Sequence, residues 1–391
     1  MTAPGVLIGV LAAPERAWVL DDGGVRLPDG DTLRWAVVAE DRVHHPATEP
    51  TRRQRCVDGT PVVETAVRAP GGDVVVTAYA VTDAGGSLVL DVSNRSGTSV
   101  AFACSRADVT AARPLLEPPA GGELPSSWRT LPLAHGSSLR VALPFTAERL
   151  DPDTLVTVPS VEQVVRGWTL QAGVGFRADL PDPVLLERLV RARGQAALAP
   201  LPDPVADPVT FLLLAGQRAG RKALGGLLPD EVADAASGLA RAHRKAKETP
   251  WSVAAALLAA ARTLDALAED VAAGDALALA AGLPSPAPAD DAPPDDDRWF
   301  DPWLARRLAV SDASTISVLP YFPREWLGAN LSAYEVPTIA GPMGFAVRWH
   351  GERPALLWDG PHGAVVRCPG LDPAWSASVP SGEALLAAPP A

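Results

Sequence analysis

Between Gly5 and about Arg177 short apolar runs recur with turn residues between them. Residues 6–11 and 17–20 lead to Asp21-Asp22-Gly23-Gly24, residues 25–27 meet Pro28-Asp29-Gly30-Asp31, and residues 32–39 follow. Pro70-Gly71-Gly72-Asp73 separates 62–68 from 74–81, Gly85-Gly86 precedes 87–92, and Asn94-Arg95-Ser96-Gly97 joins that run to 99–104. This spacing predicts a sandwich of antiparallel strands, each burying one face; parallel strands would need helical crossovers that the pattern lacks. The Pro- and Gly-rich stretch 114–127 reads as a surface loop, 139–145 as a further strand, and 162–176, with Trp168, as the segment that closes the sandwich.

At Asp179 the period changes. Leu180-Pro181-Asp182-Pro183 opens a helix to about Ala197 and Asp207-Pro208 a second to Ala223, each with an Asp cap ahead of a Pro at the first helical position. Pro229-Asp230 starts a third helix, to Lys247. Thr249-Pro250 starts a fourth, Ala- and Leu-rich on nearly all sides, with a break at Gly274 and a stop at Gly282. Residues 284–297 are too polar and Pro-rich to fold alone and read as an acidic linker. Beyond it a short helix over 298–308 carries Trp299 and Trp303 at i and i+4. A Pro-punctuated extended run begins at Thr315. Over 344–350 the pattern alternates at period two, with Phe345, Val347 and Trp349 on one face and Ala346, Arg348 and His350 on the other. His350-Gly351-Glu352-Arg353-Pro354 then turns the chain into 355–358, which makes a β-meander. The expected class is α+β: an N-terminal antiparallel β-sandwich over 1–178, an all-α helical domain over 179–283, the linker, and a small C-terminal β-domain over 298–391.

Charge and cysteine usage narrow the function classes. A net charge of -12 and a pI near 5.0 argue against nucleic acid, which needs a clustered positive face. No basic amphipathic helix offers itself to an anionic membrane, and the apolar helix at 253–261 is too short to span one. Cys56, Cys104 and Cys368 form no C-x-x-C pair and read as reduced thiols of a cytoplasmic protein. The apolar run 6–13 has no positive residue ahead of it and reads as a first strand rather than a signal peptide. The histidines lack metal-ligand spacing, Asp295-Asp296-Asp297 lacks a Gly-bearing calcium loop, and there is no P-loop, nucleophile elbow or dinucleotide fingerprint. No cofactor or metal is expected.

Leu319-Pro320 through Trp326, the strand over 344–349 and Leu356-Leu357-Trp358 together resemble the small β-domain that closes bacterial glycoside hydrolases of the (α/α)6-toroid type: glucoamylase-like, glycogen-debranching-like and maltose-phosphorylase-like enzymes. A sandwich followed by Leu180-Pro181-Asp182-Pro183 is similar to the order in which those enzymes introduce their first toroid helix. The resemblance implies a ring of six helix pairs. This chain offers about two pairs before its linker, and Val205-Ala206-Asp207-Pro208 stands where the toroid enzymes carry an aromatic followed by Arg-Asp. The inference is a reduced, non-catalytic relative that binds glycan or partners an α-glucan-processing enzyme. Two alternatives stay open: an active hydrolase or phosphorylase with a remodelled cleft, and a structural protein that self-associates through the apolar helix at 253–267.

Glycoside hydrolysis needs two carboxylates, one protonated by its surroundings and one charged. Glu40, Asp41, Glu248, Asp297, Asp301 and Glu325 stand near aromatics, and each is otherwise a solvated or capping side chain. The tryptophans at 299, 303, 326, 349, 358 and 375 suit either a sugar-stacking platform or a core. Trp299, Asp301, Trp303, Glu325, Trp326, Trp349 and His350 are the candidate ligand-binding set.

Overall fold

Alternation in the first segment produces three antiparallel sheets that share one core. The computed structural model describes residues 5–11, 13–146, 150–220, 225–247, 249–283 and 292–389. Across the widest sheet the strands run Thr110–Ala111, Ser138–Pro144, Ser87–Asn94, Gly72–Val81, Val63–Ala69 and Arg53–Cys56. A second sheet runs Arg129–Leu133, Val100–Cys104, Trp35–Val38, Val43–His44, and a meander is built from Val6–Gly9, Arg16–Val19, Val25–Arg26 and Thr32–Leu33. Ile8, Leu33, Val76, Leu90, Phe102 and Leu133, drawn from all three sheets, meet in one cluster. Each such side chain contributes about 1.5–3 kcal/mol by leaving water.

The stretch 162–176, expected to close the sandwich, is largely helical. It opens as helix α1, Val161–Ala172. Ser160 and Gln163 cap each other: the Ser160 N–H donates to Gln163 Oε1 at 2.8 Å and the Gln163 N–H to Ser160 Oγ at 3.4 Å. That reciprocal box satisfies two of the donors a helix start leaves over, and a Ser-x-x-Gln spacing is its signature.

Helix α2, Pro183–Leu198, begins where the Asp-Pro signal places it, the Asp182 carboxylate accepting from the Val184 and Leu185 N–H groups at 2.9 and 3.2 Å. Helix α3, Pro208–Gly220, has Asp207 accepting from the Thr210 N–H at 3.1 Å; its expected end at Ala223 lies outside the described residues. Helix α4 spans Pro229–His243. The fourth expected helix is two, α5 (Trp251–Ala266) and α6 (Asp270–Ala281), and the break is at Ala268, not Gly274. Ala268 takes φ 64°, and the Glu269 N–H closes onto the Leu264 carbonyl at 2.9 Å. This is the left-handed C-terminal turn that ordinarily favours glycine. Of the acidic linker, residues 284–291 lie outside the described residues. The helix expected over 298–308 forms as α7, Phe300–Leu308.

The chain divides into two units, Met1–Thr169 and Leu170–Ala391, so α2–α6 and the C-terminal strands share the second one where the pattern suggests separate parts. A single short strand explains this. Arg177–Asp179, ahead of the helices, pairs with Leu331–Val336, which opens a five-stranded sheet continuing through Met343–His350, Arg353–Asp359 and Ser381–Leu385. The expected meander is present, but the turn is the two residues Gly351-Glu352, and Pro354 lies within its strand opposite Trp349. In a two-residue hairpin the flanking pair His350 and Arg353 exchanges the hydrogen bonds, so the next pair asks no N–H of the proline. The second sheet of this unit runs Ala309–Ser311, Thr315–Val318, Val365–Cys368, Asp372–Ala377, with the middle two strands parallel. Together these elements make an α+β protein.

Candidate functional site

Helices α3 and α5 approach so closely that a β-carbon on Gly216 would stand 2.7 Å from that of Ala259. Their contact, with α7 and the loop after Val336, leaves a cavity of about 100 Å³ whose walls are largely aliphatic. Trp251, at the start of α5, lines it, as do Gln217, Arg262, Asp301 and Thr338. A wider cavity of about 570 Å³ adjoins it, sharing Leu258, Arg262, Pro337, Thr338 and Ile339 and adding Asp265 and Glu335. Both lie within the second unit.

The rim is pinned by its own hydrogen bonds. Thr338 Oγ1 donates to the Gly341 carbonyl at 2.5 Å, the Gly341 N–H returns to the Thr338 carbonyl at 3.1 Å, and the Ala340 N–H donates to Ser311 Oγ at 3.2 Å. Just before it, the register of strand Leu331–Val336 shifts between Ala333 and Val336, and Glu335 takes φ 59°. A non-glycine residue in the left-handed region costs on the order of 1–3 kcal/mol, and here the bulge is what turns Glu335 toward the wide cavity.

Electrostatics separate the charged groups into satisfied and unsatisfied. Asp301 accepts from Arg193 Nε at 2.6 Å, and Arg193, only 4 % exposed, also donates to the Ala172 and Phe176 carbonyls at 2.7 and 2.9 Å and stacks over the Phe176 ring. Asp297 is held from two sides, by Arg188 Nε at 2.9 Å and Arg191 Nε at 2.6 Å. Arg262 is different. Among the described residues no carboxylate comes within ion-pair distance of it and no acceptor takes its N–H groups. Its side chain is exposed to solvent, and the protein packed around it shifts its pKa below the usual arginine value; the Asp301 charge works the other way and Arg193 adds to the lowering.

Of the seven candidates, Asp301 alone lines the small cavity. Trp299 is half-buried and meets Trp251 edge-on, ring centroids 6.0 Å apart. Trp303 and Trp326 are core, and Trp349 packs half-buried against it. Trp303 lies beneath the Arg307 guanidinium and against Phe300, its Nε1–H without an acceptor among the described residues. Trp326 packs edge-on against Phe322, and Trp349 packs on the same ring while donating from Nε1 to the Ala329 carbonyl at 2.9 Å. Glu325, in the single turn Arg324–Trp326, and His350, at its strand's end, are exposed. Of the other carboxylates, Asp41 accepts from His44 at 3.0 Å in the first unit, and Glu248 lies outside the described residues. The sequence reading missed Arg262. Its signal was available: Arg262 and Asp265 are the two charged residues of an otherwise apolar helix.

The carboxylates Asp41, Asp73, Glu162, Asp203, Asp296 and Asp312 have pKa values displaced downward. A general acid at neutral pH requires the opposite displacement. The buried thiols are passive: burial pushes Cys104 up to about 11 and Cys368 to about 12. Among the described residues no group of His, Cys, Asp or Glu is arranged to hold a metal ion, and no helix is long and apolar enough to cross a membrane. Compared with known proteins, the chain matches no family model and no curated sequence.

Proposed function

We propose that this protein is a non-catalytic relative of the toroid glycoside hydrolases that binds a glycan in the cleft formed by α3, α5, α7 and the loop after Val336. The observation that carries this reading is the state of the two carboxylates flanking Trp299. Asp297 and Asp301 are each committed to arginines, while the aliphatic cleft beside them keeps an aromatic wall in Trp251. A carboxylate already paired with a guanidinium group is poorly placed to give a proton to a glycosidic oxygen, whereas an indole beside aliphatic walls suits the C–H face of a pyranose.

The reading is tested by differential scanning fluorimetry of the full chain with maltooligosaccharides, trehalose and glycogen, followed by analysis of released sugars. The expected result is a rise in melting temperature with at least one of them, lost in Trp251→Ala, and no hydrolysis or phosphorolysis product. Product formation would reinstate the remodelled-cleft enzyme. No shift with any of the sugars would remove glycan binding.

A further inference from the structure

We propose that the small cavity receives the acidic group of its ligand, a carboxylate or a phosphate ester, on the guanidinium of Arg262. This inference rests on the reading of the cleft as a ligand site and goes further by naming the charge of what enters it.

Charge balance around the cavity is the first ground. Arg262 stands where α5 separates the two cavities, and both are lined by it. Asp301, the carboxylate of the small cavity, gives its oxygen to Arg193 at 2.6 Å, so that charge is answered before Arg262 is counted. Asp265 and Glu335 line the wide cavity and not the small one. The small cavity therefore holds an excess of positive charge, in a chain whose net charge is -12.

The second ground is availability. Arg262 is exposed to solvent at the edge of both cavities and has no ion-pair or hydrogen-bond partner among the described residues, so its donors are available to whatever enters. An oxyanion supplies what is missing, because the planar fork of arginine matches carboxylate and phosphate oxygens with two parallel hydrogen bonds. Size agrees: Arg262 lines both cavities, so a ligand whose acidic group it holds can set a ring against Trp251 on the smaller side and extend into the adjoining 570 Å³ beside Asp265 and Glu335, which can accept from hydroxyl groups.

Isothermal titration of the full chain with four probes, glucose, glucuronate, glucose 6-phosphate and hexanoate, separates the claims. At low salt we expect glucuronate or glucose 6-phosphate to bind at least about tenfold more tightly than glucose, and Arg262→Gln to remove about that advantage. Because Arg262 donates no hydrogen bond to the protein, Arg262→Gln should fold with a melting temperature within about 2 °C of the parent. Arg262→Lys should keep part of the preference, and in the unaltered protein added salt should weaken the acidic probes and leave glucose unchanged. Equal binding of glucose and glucuronate, insensitive to salt and to Arg262→Gln, would overturn the acidic-ligand inference and leave glycan binding standing. Arg262-dependent binding of hexanoate with none of the sugars would uphold the inference and overturn glycan binding. No binding of any probe up to about 10 mM would overturn the inference outright.

Discussion

Arg193 illustrates how much one buried side chain must satisfy: Nε is spent on Asp301 and the two terminal nitrogens on the carbonyls of Ala172 and Phe176. Replacing it with methionine keeps the volume and strands the carboxylate, so Arg193→Met should lower stability by about 3 kcal/mol in urea unfolding. Asp312 acts at the surface. Its carboxylate accepts from the N–H groups of Ser314 and Thr315 at 2.8 and 2.7 Å and from the Ser314 hydroxyl at 3.1 Å, tying the turn between strands Ala309–Ser311 and Thr315–Val318. Those bonds hold its pKa below the usual carboxylate range. A folded-state pKa that is depressed adds stability above the unfolded value and loses it as the pH falls through the folded one. The urea midpoint of Asp312→Asn should therefore lie below that of the parent at pH 6 and converge with it at pH values under about 4.

At the scale of elements, the left-handed residue between α5 and α6 is the clearest local conflict. Ala268 is exposed and holds φ 64° because α6 must fold back on α5 to share its core, in which Leu264 and Ala276 are both buried. Glycine reaches that conformation without the β-carbon penalty. Ala268→Gly should raise stability by about 0.5–1 kcal/mol in thermal or urea unfolding. A loss would mean that the turn is held by something other than backbone preference. The same junction explains a misplaced boundary. Gly274 looks like a helix break in sequence but stays helical, since one glycine costs a helix only about 1 kcal/mol and burial of Ala273 and Ala276 beside it outweighs that.

Over the whole molecule, negative charge governs behaviour in solution more than any one contact. With a net charge of -12 and a pI near 5.0, the protein should be least soluble near pH 5 and should pass a heparin column unretained at pH 7.5. Retention there would reveal a basic face that the composition hides. Each unit keeps its own core, the three sheets of the first meeting at Phe102 and the two sheets of the second at Phe345 and Ile316. Sequence reading found strands and helices in both, but it divided the second unit in two because it had no means of pairing Arg177–Asp179 with Leu331–Val336.

Features that depend on a few neighbouring residues could mostly be read from the order of amino acids. The Asp-Pro starts of α2 and α3, the hairpin around Gly351 and the alternating strands were all legible, because caps, turn geometry and side-chain period act over one or two turns of chain. Which charges are spent was set by the folded arrangement of distant segments. Arg193 and Asp301 are 108 positions apart, and Arg188 and Arg191 lie 109 and 106 positions from Asp297. Those pairings, and the tryptophans that turned out to be core, follow from how the cores close around them. Arg262 is left over for the same reason: a guanidinium is unpaired only with respect to everything folded around it, and no local pattern records that.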